Sequence, residues 1–307
     1  MSSVSKLKES QTVKSQEPKE LSVDQIVEKY ARKPNCINLR AKIWRIICNL
    51  DDLKFQVLEE LDQKRREQLD KTFTLGKDEV ALPFFENASD IYKHFKSLPH
   101  QNPQITKNIK KDLPRTAIGY EPFTIDPATG LNPLFNVVNA YSHFDPEIEY
   151  CQGICFIVAL ILKHMEDEDD TFFVLIHVMK VHGWRGIYAC GAPKMQILTD
   201  FLVEVLETGY NPIFEHIMDE FEISIIPAFQ SNIQTIFVYD CPEKMATTIF
   251  DVFLLDGEQV IFTLLIKMLE LQEDTILKTE GEELLNYLRS IMPADCLKQF
   301  PMTTLLD

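Results

Sequence analysis

Apolar positions recur at helical spacing over most of this chain. Leu39, Ile43, Ile46, Ile47 and Leu50 mark one apolar face, with Trp44 beside it, the i, i+3, i+4, i+7 pattern of an amphipathic helix. Residues 51–71 carry a second stripe, Leu53, Val57, Leu58 and Leu61, with Lys64, Arg65 and Arg66 on a solvated face. Asp145 is a good N-cap and Pro146 suits the first helical position, which predicts a helix running to about Met165. Its seam is Ile148, Cys151, Cys155, Val158 and Leu162, widened by Phe156, Ile157 and Ile161, and a helix apolar nearly all round belongs in the middle of a core. Helical pattern returns at 193–209, 212–220, 242–255, 257–272 and 280–291, and the β-like run Thr235 to Tyr239 reads as helical from its neighbours.

Two stretches break the pattern. Residues 1–21 are Ser, Lys, Gln and Glu with almost nothing apolar, the composition of a disordered tail. Residues 98–130 hold Pro99, Pro103, Pro114, Pro122, Pro127 and Gly130 and read as a long irregular stretch, a place where function concentrates. The acidic run from Glu166 to Asp170 reads as a solvated connection. No repeat of fixed period occurs. The pattern predicts an all-α protein whose helical unit, 22–307, has two lobes dividing near residue 200.

Composition narrows the partners. The net charge is −16, and phosphate-backbone binding needs clustered Lys and Arg, so nucleic acid is not the expected partner. Only 10 Gly against 20 Phe favours packed helices. The 7 Cys have no framework spacing, the usage of a reducing compartment. The longest apolar run, Ile154 to Leu162, is far shorter than the ~20 residues of a membrane span. No targeting or lipidation motif occurs at Met1–Lys6 or Thr304–Asp307, and a soluble cytoplasmic protein is expected.

Familiar catalytic patterns are missing: no Gly-rich phosphate cradle, no GxSxG elbow and no HExxH. Cys151 and Cys155 have no further Cys or His at zinc spacing and read as core, while His164, His177 and His182 read as satisfied or surface histidines. Two segments remain. In Ile109-Lys110-Lys111-Asp112-Leu113-Pro114-Arg115, Asp112 and Arg115 stand three apart, where a carboxylate can brace a guanidinium. Pro114 biases Leu113 toward extended backbone, so Arg115 is expected to project from a turn, and Lys107, Lys110 and Lys111 make the surroundings basic. The plainer reading is a surface ion pair. In Glu149-Tyr150-Cys151-Gln152-Gly153, residues two apart on the expected helix point about 200° from each other. With Tyr150 inward, Gln152 looks outward, and its amide can orient a water. The plainer reading is a hydrogen-bonded residue at a helix end.

Together and in this order, the two segments resemble the signature motifs of TBC-domain Rab GTPase-activating proteins: IxxDxxR at Ile109, Asp112 and Arg115, and YxQ at Tyr150 and Gln152. The flanks resemble the family too, in Arg40 and Trp44, in Ala140, Tyr141, Asp145 and Pro146, and in Phe250-Asp251. The resemblance covers about residues 36–290. Departures are Ala117 and Ile118 where Phe-Pro is usual, Glu149 for a common Gly, Ile154 for Met, Phe250 for the late Trp, and Thr248 for a frequent Arg.

The resemblance implies a two-lobed, V-shaped helical domain that receives a GTP-bound Rab-family GTPase and speeds GTP hydrolysis on it in trans. Arg115 and Gln152 would be the catalytic fingers, with Asp112, Tyr150 and Ile109 supporting them. The domain would need no cofactor of its own, GTP and Mg²⁺ belonging to the partner, and would visit Rab-marked endomembranes transiently to regulate vesicle traffic. A catalytically weak relative acting as a Rab-binding effector, or a helical scaffold, is the alternative.

Overall fold

A computed structural model describes residues 39–75, 81–100, 102–116, 132–221, 225–239 and 241–306; the tail expected at 1–21 lies outside them. All regular elements among these residues are helical, with no strand. None of the helices is long and apolar enough to cross a membrane.

Helix α1 (Arg40–Ile47) leads into the long α2 (Leu50–Leu75). The α2 stripe behaves as its pattern predicts, with Leu53, Val57 and Leu61 buried. In α1 the inward face is rotated from the expected one. Trp44 is fully buried beside Ile43, whereas Leu39 and Ile46 stay exposed. The rotation follows from Arg40 and Trp44, whose polar groups have a buried partner described below.

Three helices that the apolar pattern did not isolate come next: α3 (Ala88–Ser97), α4 (Pro103–Thr116) and α5 (Pro133–Phe144). Asn87 starts α3 and Asn132 starts α5, their side chains accepting from the N–H of Asp90 at 3.2 Å and of Phe135 at 3.0 Å. Helix α4 corrects the expectation of irregular chain over 98–130. Ile105, Ile109 and Asp112 share one buried face, and tertiary packing of such a face supplies most of the stability of a short helix. Pro114 falls in the last turn, where its missing N–H removes the bond to the Lys110 carbonyl, a cost that the buried face outweighs. Residues 117–131, including Ala117 and Ile118, lie outside the described residues.

Helix α6 (Ile154–Met165) begins later than expected, since Asp145 closes α5 as its C-cap and residues 146–153 form a loop. Positive φ angles at Glu149 (51°) and Gly153 (111°) interrupt any helix there. Ile154 to Leu162 are all buried, so the central position in the core holds. Helix α7 (Glu168–Lys180) is equally enclosed, with Phe172 to Met179 buried against α2, α5 and α6. Of the acidic run, Glu166 and Asp167 are an exposed link as expected, but Glu168 to Asp170 form the first turn of α7 and are partly buried. Asp167 caps α7 by accepting from the Asp170 N–H at 2.8 Å; Asp170 takes Arg45 at 2.6 Å, and Asp169 takes Lys54 at 3.0 Å. The run therefore pins α7 to α1 and α2. His177 and His182 meet in the interior at 5.0 Å between ring centres, and His164 packs edge-on against Trp44 at 5.2 Å.

After the short α8 (Arg185–Tyr188), helices α9 (Pro193–Gly209), α10 (Asn211–Phe221), α12 (Glu243–Asp256) and α13 (Gln259–Leu271) fall close to the predicted spans. Between them lies an unpredicted α11 (Ile226–Gln234). Thr235–Tyr239 is a turn, not helix: Ile236 and Phe237 take φ of 52° and 60° while both side chains are fully buried. The span 280–291 is α15 (Gly281–Asn286), which follows the one-turn α14 (Glu273–Ile276) and runs into a π-helical turn, Tyr287–Ile291.

A buried clamp joins α12 to α1. Asp251 accepts from Arg40 Nε at 2.9 Å, Arg40 Nη2 at 2.8 Å and Trp44 Nε1 at 2.8 Å, with the side chains of Arg40 and Asp251 only 5% and 8% exposed. Burial raises the Asp251 carboxyl above the usual carboxylate range, and its bonds to Arg40 and Trp44 oppose that rise. Phe250 packs on Trp44 at 5.1 Å.

Candidate functional site

The last turn of α4 and the loop before α6 meet on one carboxylate. Ile109, fully buried, and Ile105 hold α4 to the core, which fixes the direction in which its end points. Asp112 lies one turn beyond Ile109, nearly buried, and its two oxygens have different partners. Oδ1 accepts from Arg115 Nη2 at 2.7 Å and Nε at 3.1 Å. Oδ2 accepts from the Tyr150 hydroxyl. Arg115 thus belongs to a helix and not, as the sequence suggested, to a turn after Pro114. Its i, i+3 bond to Asp112 is the helical one, and a cation suits a helix C-terminus. The guanidinium remains accessible: the Arg115 side chain is 41% exposed against 10% for Asp112.

Tyr150 sits half-buried with its hydroxyl 3.3 Å from Cys155 Sγ, at the start of α6. Burial first, then Cys155 and Asp112, holds its phenol far above the usual range, so it remains a donor. Burial also pushes the Cys155 thiol up to about 12, which agrees with a core role. Gln152 is exposed and Tyr150 turned in, as expected, but the loop's anchors separate them rather than helical geometry.

Arg185 fixes the start of the loop. Its Nε and Nη2 bond the two Asp145 oxygens at 2.7 and 2.9 Å, and Tyr141 adds a bond to Oδ2 at 3.2 Å. Glu149 occupies a left-handed position where glycine carries no steric penalty. That accounts physically for the glycine common there in the resembled family.

Arg115 and Gln152 line two adjoining hollows. One, about 440 Å³, also has Asn108, Lys111, Asp112 and Tyr150 in its wall. The other, about 330 Å³, runs past Gly153 and Phe156 to Gln230, Gln234, Tyr239 and Arg289. The site therefore combines a braced, accessible guanidinium with an exposed amide over a concave surface. The predicted residues Ile109, Asp112, Arg115, Tyr150 and Gln152 all come together here. Gln234, Tyr239 and Arg289 were not foreseen, because no local spacing relates them to the loop.

The Rab-GTPase-TBC domain family model matches residues 37–277. Mouse TBC1 domain family member 4 is 29% identical over 259 residues, covering 84% of this chain and 19% of that protein. The GTPase-activating protein GYP5 of Saccharomyces cerevisiae is 28% identical over 181 residues, covering 59% of this chain and 19% of its own length. The chain thus spans about a fifth of these relatives. Among solved structures, the Chlamydomonas flagellar RabGAP TBC domain superposes with a TM-score of 0.64 at 19% identity, over 90% of this chain and 82% of that one. The Ypt/Rab-GAP domain of Gyp1p gives 0.64 at 13% identity, over 88% and 86%; these two share the fold. With the family model spanning most of the chain, and with the segments that prompted the resemblance meeting on Asp112, this protein belongs to the Rab-GTPase-TBC domain family.

Proposed function

We propose that this chain accelerates GTP hydrolysis on a Rab-type GTPase by supplying Arg115 and Gln152 in trans. The observation that carries the reading is the shared Asp112. One carboxylate orients the arginine through Oδ1 and, through Tyr150, the loop that bears the glutamine. A surface ion pair would not need the second bond.

Phosphoryl transfer offers the protein little covalent chemistry, and catalysis is positioning plus electrostatic stabilisation. The Arg115 guanidinium is planar, permanently charged and accessible, so it suits the negative charge that builds on the transferring group. The Gln152 amide has a donor and an acceptor with which to orient the attacking water. GTP and Mg²⁺ belong to the GTPase, and this chain needs no cofactor of its own. In this reading the protein works in the cytoplasm and at the membranes its GTPase marks, limiting the GTP-bound state that drives vesicle traffic.

The test is single-turnover GTP hydrolysis by a panel of Rab GTPases with this protein in excess. At least one should be accelerated by wild type, and Gln152→Ala should lose most of that acceleration with an unchanged far-UV spectrum. A panel without any acceleration would leave the chain a binding protein.

A further inference from the structure

The Gln152 loop has a second anchor, far away in sequence. Gln234, the last residue of α11, donates from Nε2 to the backbone carbonyl of Gln152 at 2.7 Å. The amide orientation follows from chemistry, since the flipped form would set two acceptor oxygens against each other. Gln234 is itself fixed at its backbone. Its carbonyl, one of those a helix end leaves without an intrahelical partner, accepts from the Tyr188 hydroxyl at 2.7 Å and lies 3.4 Å from Trp184 Nε1.

Gly153 makes the contact possible and also makes it necessary. A Cβ on Gly153 would stand 3.2 Å from Gln234 Cγ and 3.3 Å from Cδ and Nε2, so a side chain there would press the amide a few tenths of an ångström off the loop. Glycine also populates both signs of φ readily. At φ 111°, the backbone at 153 is not held by a preference of its own, so the path of the loop, and with it the place of the exposed Gln152 side chain, depends on anchors from elsewhere in the fold.

We infer that Gln234 is a positioning residue for the reaction: by holding the Gln152 carbonyl it ties the loop to α11 and fixes where the Gln152 side chain stands on the hollows it shares with Arg115. The inference rests on the catalytic reading of Gln152 given above. Gln234 touches no reacting atom; it acts through Gln152.

The test is a double-mutant cycle on single-turnover GTP hydrolysis, varying the concentration of this protein over a GTPase it accelerates. Gln234→Met and Gln234→Glu keep the shape and remove the N–H donor; Gln234→Lys keeps a donor. The first two should lower the saturating rate about 10- to 100-fold, the scale of a misplacement near 1 Å. The half-saturating concentration should move less than about twofold, with Gln234→Lys recovering most of the rate. In a Gln152→Ala background all three should be silent. A loss of equal size in both backgrounds, a change confined to the half-saturating concentration, or a full rate without the donor overturns the positioning role. A silent Gln152→Ala alone would instead sink the glutamine reading and take this inference with it. If Gln234→Met lowers the melting temperature, Gln234→Glu carries the same comparison.

Discussion

The chain builds the same trio twice: an arginine, an aspartate and an aromatic donor. Arg40, Asp251 and Trp44 form one, and Arg115, Asp112 and Tyr150 the other. The two aspartates are almost equally buried, 6% and 7% exposed. The arginines are not, with side chains 5% and 41% exposed. The first trio spans 211 residues of sequence and joins two helices. The arginine of the second is three residues from its aspartate and faces a hollow. Chemistry alone does not separate a clamp from the reagent proposed for Arg115. Water access to the guanidinium does, because a charge sealed in the interior cannot be offered to a partner.

The largest expected effect breaks the comparison at the accessible arginine. Arg115→Ala should cost roughly 10³-fold or more in stimulated hydrolysis and lower stability by less than Arg40→Ala does, because water can replace a guanidinium whose side chain is already 41% exposed. Arg115→Lys, which keeps charge but loses the fork, should recover little. Recovery of most of the rate by lysine would show that charge suffices and that two-point contact is not used.

Next comes the sealed arginine. Arg40→Ala strands Asp251 as an unpaired buried charge, which typically costs 3–5 kcal/mol, so roughly that destabilisation is expected in urea titration. Any loss of stimulated rate should track the unfolded fraction. An Arg40→Ala protein of normal stability and poor activity would reverse the roles of the two trios.

A smaller effect involves pH. His164 packs on Trp44, and burial, then the charges of Arg40 and Lys163, lower its pKa to about 4. Its folded pKa lies below the unfolded value, so the unfolded chain binds more protons in between, and stability rises with pH across that window. Acidification from about pH 6.5 toward 4 should therefore loosen the clamp region, by about 1–2 kcal/mol at pH 5 from this group. His164→Gln should flatten that part of the stability–pH curve; an unchanged slope would place the sensitivity elsewhere.

The smallest change is Tyr150→Phe, which keeps the ring and removes the bond to Asp112 Oδ2. About 1 kcal/mol of stability should go, with roughly tenfold in the stimulated rate as the loop loses one anchor. Equal rates for the two proteins would show that the ring alone places the loop.

Local spacing made the site legible. Asp112 and Arg115 really are i, i+3 on a helix, and Tyr150 and Gln152 really are opposed. The reasons assigned to them were less sound. Pro114 masked α4, whose existence depends on burying Ile105 and Ile109 against the core. The Asp145-Pro146 pair imitated a helix start, although Asp145 is engaged by Arg185 and closes α5. Phe172 to Met179 are buried throughout α7, and a helix enclosed on every side shows weak amphipathic contrast. Partners such as Gln234 for Gln152 and Asp251 for Arg40 depend on tertiary proximity, which no single-sequence period encodes.

The two-oxygen arrangement at Asp112 has a consequence for how such a protein decays over generations. Losing Arg115 leaves a nearly buried carboxylate with one donor, Tyr150, in place of two residues. An uncompensated buried charge is costly, so drift that first erases the arginine then favours replacement of the aspartate. Once the aspartate is gone, the tyrosine has lost its reason to be a tyrosine. Lineages that abandon catalysis should thus shed the trio in that sequence, while Arg40, Trp44 and Asp251, which the fold itself requires, persist.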